Sequence, residues 1–164
     1  MAAAWLVACA PALDWRKLRP QGSGLVALMP CRPDSEARDV RLADMPLRLT
    51  LHACSAGGVT WALAFAEVGD PAQVGAALEE LHRSALKNLR GTESMPLPLK
   101  VEGATPNAAS RRLQFSGHMP DGRAVTEQTA VFAKGTRVFQ AVALGPALEP
   151  EAVATFFGNL RFAP

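Results

Sequence analysis

Apolar and polar positions along the chain change period several times, and each change marks an element. Residues 13–18 carry Trp15 and read as a short strand, broken by Pro20-Gln21-Gly22-Ser23-Gly24. Residues 25–29 form an unbroken apolar run stopped by Pro30 and Pro33, a second strand. A short third strand is predicted over residues 40–42. Residues 47–53 alternate apolar with polar, the period of a half-buried strand. Gly57-Gly58 separates this run from residues 60–66, which predicts a hairpin. In residues 60–66, Trp61, Leu63 and Phe65 fall on one face and Ala62, Ala64 and Ala66 on the other. A strand apolar on both sides is covered on both sides, and the flat alanine face predicts close approach by a helix.

That helix is predicted over residues 70–90. Asp70 is placed to cap it, and Pro71 suits the first helical position. Val74, Leu78, Leu81, Ala85 and Leu89 make an apolar stripe at helical spacing, and Gly91 is placed to end it. Residues 91–110 are rich in Pro, Gly and Thr, with one strand predicted at 97–101. Strands at 113–118, 124–133 and 137–144, joined by Pro120-Asp121-Gly122 and Lys134-Gly135-Thr136, read as an antiparallel meander. Pro150 opens a last helix with Val153, Phe156, Phe157 and Leu160 on one face. Gly158-Asn159 ends it ahead of a terminal strand at 160–162.

This order resembles the PsbP-like fold, which includes the Ran-binding Mog proteins and many small bacterial lipoproteins. The resemblance rests on the strand 60–66 leading into the helix 70–90, on the meander 111–144 with Arg137-Val138-Phe139-Gln140-Ala141-Val142, and on the closing helix 151–159 with Leu160-Arg161-Phe162. It spans most of residues 13–162. It implies an α+β domain, an antiparallel β-sheet flanked by helices as an α/β/α sandwich, and a role in adaptor, assembly or stability functions. It assigns no ligand-binding residue. The chain departs from the pattern through Cys31 and Cys54 and through its lack of tyrosine.

The start of the chain adds a location. Leu6-Val7-Ala8-Cys9 has the form of a bacterial lipobox, in which a small residue precedes a cysteine that is acylated. The apolar stretch before it is short and has no basic residue ahead of it, whereas export signals have both a longer apolar region and a basic start. Residues 1–12 therefore read as a truncated lipoprotein signal and tether, and residues 13–164 as a single α+β domain. Ala10 after the cysteine looks like the outer-membrane address of such lipoproteins. The expected location is the periplasmic face of the bacterial envelope, with Cys9 as the lipidation site and the membrane as a partner through that lipid.

Composition and charge narrow the chemistry. A chain of 164 residues suits one domain. Its net charge of +2 comes without a basic block, which argues against nucleic acid. Of three cysteines, lipid on Cys9 would leave Cys31 and Cys54 as an even pair, and in an oxidising compartment such a pair closes into a disulfide. The rival arrangement is a small metal- or ligand-binding protein or enzyme using His52, Cys54 and Cys31, since His52 and Cys54 would share one face of a strand. His82, among polar helix residues, and His118, before a turn, read as solvated. Gly22-Ser23-Gly24 lacks the strand-to-helix setting of a nucleophile elbow, and no phosphate loop is present. No constellation supplies both a nucleophile and a base.

The sequence thus points to a non-catalytic, lipid-anchored protein without a cofactor or metal, which binds a protein or an envelope component of unknown identity. A cytosolic adaptor resembling the Mog proteins is the further alternative. Long loops rich in Pro and Gly are commonly functional. The binding patch is accordingly expected at a sheet edge or on residues 91–110, and removal of residues 96–106 is expected to leave the domain folded.

Overall fold

The computed structural model describes residues 12–164. In chain order its elements are β1 (Arg16–Leu18), β2 (Leu25–Met29), β3 (Asp34–Leu42), β4 (Met45–Ala56), β5 (Val59–Glu67), a single 3-10 turn at Pro71–Gln73, α1 (Val74–Asn88), β6 (Glu93–Leu97), β7 (Arg111–His118), β8 (Ala124–Lys134), β9 (Arg137–Gly145), α2 (Pro150–Gly158) and β10 (Arg161–Phe162). Seven strands make one antiparallel sheet in the order β3-β4-β5-β9-β8-β7-β6. The other three form a small sheet with β2 between β1 and β10. The described residues thus form a single compact domain of mostly antiparallel sheet with two short helices.

Two hairpins with the same backbone hand differ in how they are written. Gly57 and Gly58 join β4 to β5 at φ of 62° and 74°. This is the positive-φ geometry that two-residue hairpins need and glycine supplies freely. Ala43 and Asp44 join β3 to β4 at φ of 49° and 63°, with no glycine to announce the turn. β3 also lacks an apolar face, because residues 34–39 are all exposed. Both facts explain why the predicted third strand, 40–42, is only the end of a nine-residue element.

A second correction concerns the segment after α1. Its strand is β6, Glu93–Leu97, not residues 97–101. Pro96 is tolerated because β6 pairs only with β7 and lies at the sheet edge. Leu99 and Val101 are instead apolar plugs that pack on the core from a loop.

The large sheet separates two apolar layers. On one face, Trp61 and Leu63 of β5, Ala130 and Phe132 of β8, and Phe139, Ala141 and Ala143 of β9 meet the small sheet and Val153, Phe156 and Phe157 of α2. Trp61 and Phe156 meet edge-to-face at 5.2 Å between ring centres. This covering layer is a small sheet together with a helix, because β10 returns to pair with β2. On the other face Val74, Ala77, Leu78 and Leu81 of α1 pack on Ala66, Val131, Ala133 and Val138. α1 lies across β8 and β9, so it meets the alanine face of β5 only at its Ala66 end. Beside Ala64, Gln140 fills the gap and donates to the Leu81 carbonyl at 3.4 Å.

Asp70 caps as predicted, accepting from the Ala72 amide at 2.9 Å, but it caps the 3-10 turn that precedes α1. The far end of α1 closes with Arg90, not Gly91, at positive φ. Gly91 is required for another reason: a Cβ there would stand 2.6 Å from the Phe115 ring. Gly117 on β7 is tighter still, since its Cβ would lie 2.4 Å from the Leu89 carbonyl oxygen. His118 N–H donates to that same oxygen at 2.8 Å, tying the helix end to the sheet.

Candidate functional site

Cys31 and Cys54 are joined in a disulfide, with Cα atoms 6.0 Å apart. The strand pattern brings them together. Cys54 stands opposite Trp61 in the β4–β5 ladder and faces the small sheet, and Cys31 follows β2 directly after Pro30. His52, two residues before Cys54, shares that face, as its spacing predicts. His52 is buried at 9% exposure, and its Nε2 has no hydrogen-bond partner among the described residues. Burial holds its imidazole below the usual range. Both sulfurs are consumed in the bond, so a His52–Cys54–Cys31 metal site would require reduction. Among the described residues no group of three or more His, Cys, Asp or Glu is placed to hold a metal. Cys9 lies outside the described residues.

His82 is a correction, since it is half-buried where its polar neighbours predict a solvated side chain. Its Nδ1 is buried without a partner among the described residues. Burial lowers its pKa, the nearby Arg111 guanidinium lowers it further, and Glu79 partly opposes them. Arg111 is itself ion-paired with Glu79 and donates to the Ala109 carbonyl at 3.2 Å. His118 is exposed, as its position before a turn predicts. Ser23 sits in a buried turn, donating to the Pro20 carbonyl at 2.7 Å and accepting from the Leu25 amide at 3.0 Å. Its hydroxyl is therefore committed to the backbone.

Two groups escaped the sequence. Glu127 of β8 is 5% exposed, and burial raises its carboxyl pKa to about 8. The only sequence signal is parity, which places Glu127 on the face of Val125, Thr129 and Val131. Across the opposite face Arg112, Gln128 and Gln114 form a polar ladder. Arg112 donates to Gln128 at 2.6 Å, Gln128 donates to Gln114 at 2.8 Å, and the Arg112 guanidinium lies 4.1 Å above the Phe157 ring of α2. This half-buried shelf runs beside β6, whose Met95 is 50% exposed.

Of the segment 91–110, where the binding patch is expected, residues 93–97 form β6 and residues 98–110 are pinned to the sheet. Thr105 N–H donates to the Ala133 carbonyl at 2.8 Å, Gly135 N–H to the Thr105 hydroxyl at 2.8 Å, and Lys134 Nζ to the Gly103 carbonyl at 2.6 Å. Leu99, Val101 and Ala104 pack against the core. Deleting residues 96–106 would take these side chains off the core, so the structure gives a reason to expect a loss of stability that a free loop would not cause. Between this loop and β8 lies a cleft of about 370 Å³ lined by Leu99, Lys100, Thr105, Asn107, Ser110 and Phe132. A second cleft, of about 310 Å³, lies at the other end of β7 between Arg90, Thr92, Ser116, His118 and Pro146. No family model matches this chain, and no curated protein matches it.

Proposed function

We propose that this chain is a lipid-anchored domain of the bacterial envelope, tethered through Cys9 to the periplasmic face of the outer membrane. It binds a protein or envelope component and does not catalyse a reaction. The single observation that supports this reading is the closed Cys31–Cys54 bond, because such bonds persist in oxidising compartments. The lipobox form of Leu6-Val7-Ala8-Cys9 agrees with it. The finer fold we assign is the PsbP-like sandwich. α1 on one face, with α2 and the small sheet on the other, supports that assignment. The contact surface we assign is the cleft beside Lys100, Thr105 and Asn107, within the segment the sequence singles out.

Fractionation of bacteria producing the chain, with a basic start and a full apolar region supplied ahead of Leu6-Val7-Ala8-Cys9, tests the reading. The wild type is expected in the membrane fraction, with residues 31 and 54 protected from alkylation until reduced. Cys9→Ala is expected in the soluble periplasm with the same disulfide. Wild-type chain in the cytosol with all thiols free would overturn the proposal in favour of an adaptor. Stoichiometric zinc on reduced Cys31 and Cys54 would overturn it in favour of metal binding.

A further inference from the structure

The outer edge of β3 is the longest free stretch of sheet backbone among the described residues. β3 pairs with β4 on one side only, from Asp34 to Leu42. Strands at sheet edges are templates for pairing, and proteins often blunt them with charges. Charges of one sign would repel a second copy. Here both signs are present, as Asp34, Glu36, Arg38, Asp39 and Arg41. Arg38 and Glu36 share one face of the strand, are 60% and 63% exposed, and approach each other at 3.9 Å.

We propose that β3 pairs antiparallel with β3 of a second copy, about a two-fold axis through Ala37. A two-fold axis perpendicular to a sheet keeps each face continuous, so opposed residues must share parity. Five such registers bracket the choice, and the one centred on Glu36 sets glutamate against glutamate. Centring on Arg38 sets arginine against arginine, and centring on Asp39 sets aspartate against aspartate. Centring on Val40 avoids like pairs but engages only the end of the strand beside the Ala43-Asp44 turn. Centring on Ala37 pairs residues 34–40 of each copy and sets Glu36 opposite Arg38 twice. Opposite charges directly across a ladder are favourable, and like charges are not.

The layer beneath supports the same face. Leu49 lies next to Arg38 and Leu51 next to Glu36 in the β3–β4 ladder, and both leucines are half-buried. In the paired sheet they would flank the two Glu36–Arg38 pairs from both copies, giving the arginine stems apolar ground to cover. An edge-only interface is small, so the dimer is weak, with dissociation in the micromolar range.

Sedimentation equilibrium on the full chain carrying Cys9→Ala, up to about 200 µM, tests the proposal in that affinity range. The expected result is a monomer–dimer equilibrium. Arg38→Glu alone and Glu36→Arg alone should each weaken it by roughly tenfold or more, because each places like charges opposite each other twice. The double exchange Glu36→Arg with Arg38→Glu should restore it, since the pairing is symmetric. Both substituted side chains are exposed, and unchanged thermal midpoints would confirm that the variants fold. A chain monomeric throughout, a dimer indifferent to the single reversals, or one not rescued by the double exchange would overturn the proposal.

Discussion

Glu127 carries its carboxyl into an apolar layer, with Phe115 of β7 and Leu144 of β9 directly opposite it in the ladders. Val125, Ala85 and Leu89 extend that layer under the end of α1. Burial there favours the neutral acid, which raises the pKa to about 8. The sign of the consequence follows from proton linkage. The folded chain holds this proton more tightly than the unfolded chain, whose glutamate titrates near 4.5. Glu127 therefore makes stability fall as pH rises from about 4.5 to about 8, and the loss is complete above that window. At about 1.4 kcal/mol per pKa unit, the loss across the window is a few kcal/mol. Glu127→Gln removes the proton and keeps the shape. Urea midpoints of variant and wild type should agree near pH 4 and separate by pH 9, with the variant more stable. Parallel profiles over that range would mean that Glu127 is ionised in the folded protein.

At the scale of elements, the turn at Ala43-Asp44 shows what sequence patterns miss. Both residues sit at positive φ, where an L side chain crowds its own backbone. Ala43→Gly should relieve that crowding and stabilise the hairpin by up to about 1 kcal/mol, less the entropy glycine adds to the unfolded chain. Thermal unfolding measures it, and a lower midpoint would show that the alanine is not strained. The same position explains the limits of legibility. The β4–β5 hairpin, α1 and the β7–β8–β9 meander were legible because Gly57-Gly58, the Val74-to-Leu89 stripe and the period-two runs are local signals. β3 was not, because its turn lacks glycine and its exposed side chains have no apolar face. β6 was misplaced because Leu99 and Val101 look like strand residues but serve as plugs from a loop. The position of α1 was only half legible, since the alanines of β5 predict close approach but Gln140 occupies the space beside Ala64. Of the candidate site, the Cys31–Cys54 pairing was legible from cysteine parity. The Arg112–Gln128–Gln114 ladder was not, because it forms between strands.

For the whole molecule, the least local feature is the small sheet, in which β10 at the end of the chain pairs with β2 near its start. That pairing closes a long loop, and its entropic cost must be offset by apolar burial elsewhere in the fold. The disulfide offsets part of it. Cys31 adjoins β2 of the small sheet and Cys54 belongs to β4 of the large one, so the bond staples one sheet to the other. With a sequence separation of 23, it is worth about 3 kcal/mol by the chain-entropy relation. Replacing both cysteines with alanine should cost about that much in global stability and leave no stray thiol. The loss should also be uneven. β1 and β2 meet the large sheet through packing from one face only, whereas β8 and β9 are held from both faces by α1 and by the aromatic layer. Hydrogen exchange should therefore accelerate first in the amides of residues 16–18 and 25–29, through local opening of the small sheet, while the centre of the large sheet exchanges only by global unfolding. Uniform acceleration across both sheets would show that the bond stabilises the fold as a single unit. Unchanged exchange in β2 would show that α2 and β10 alone hold the small sheet in place.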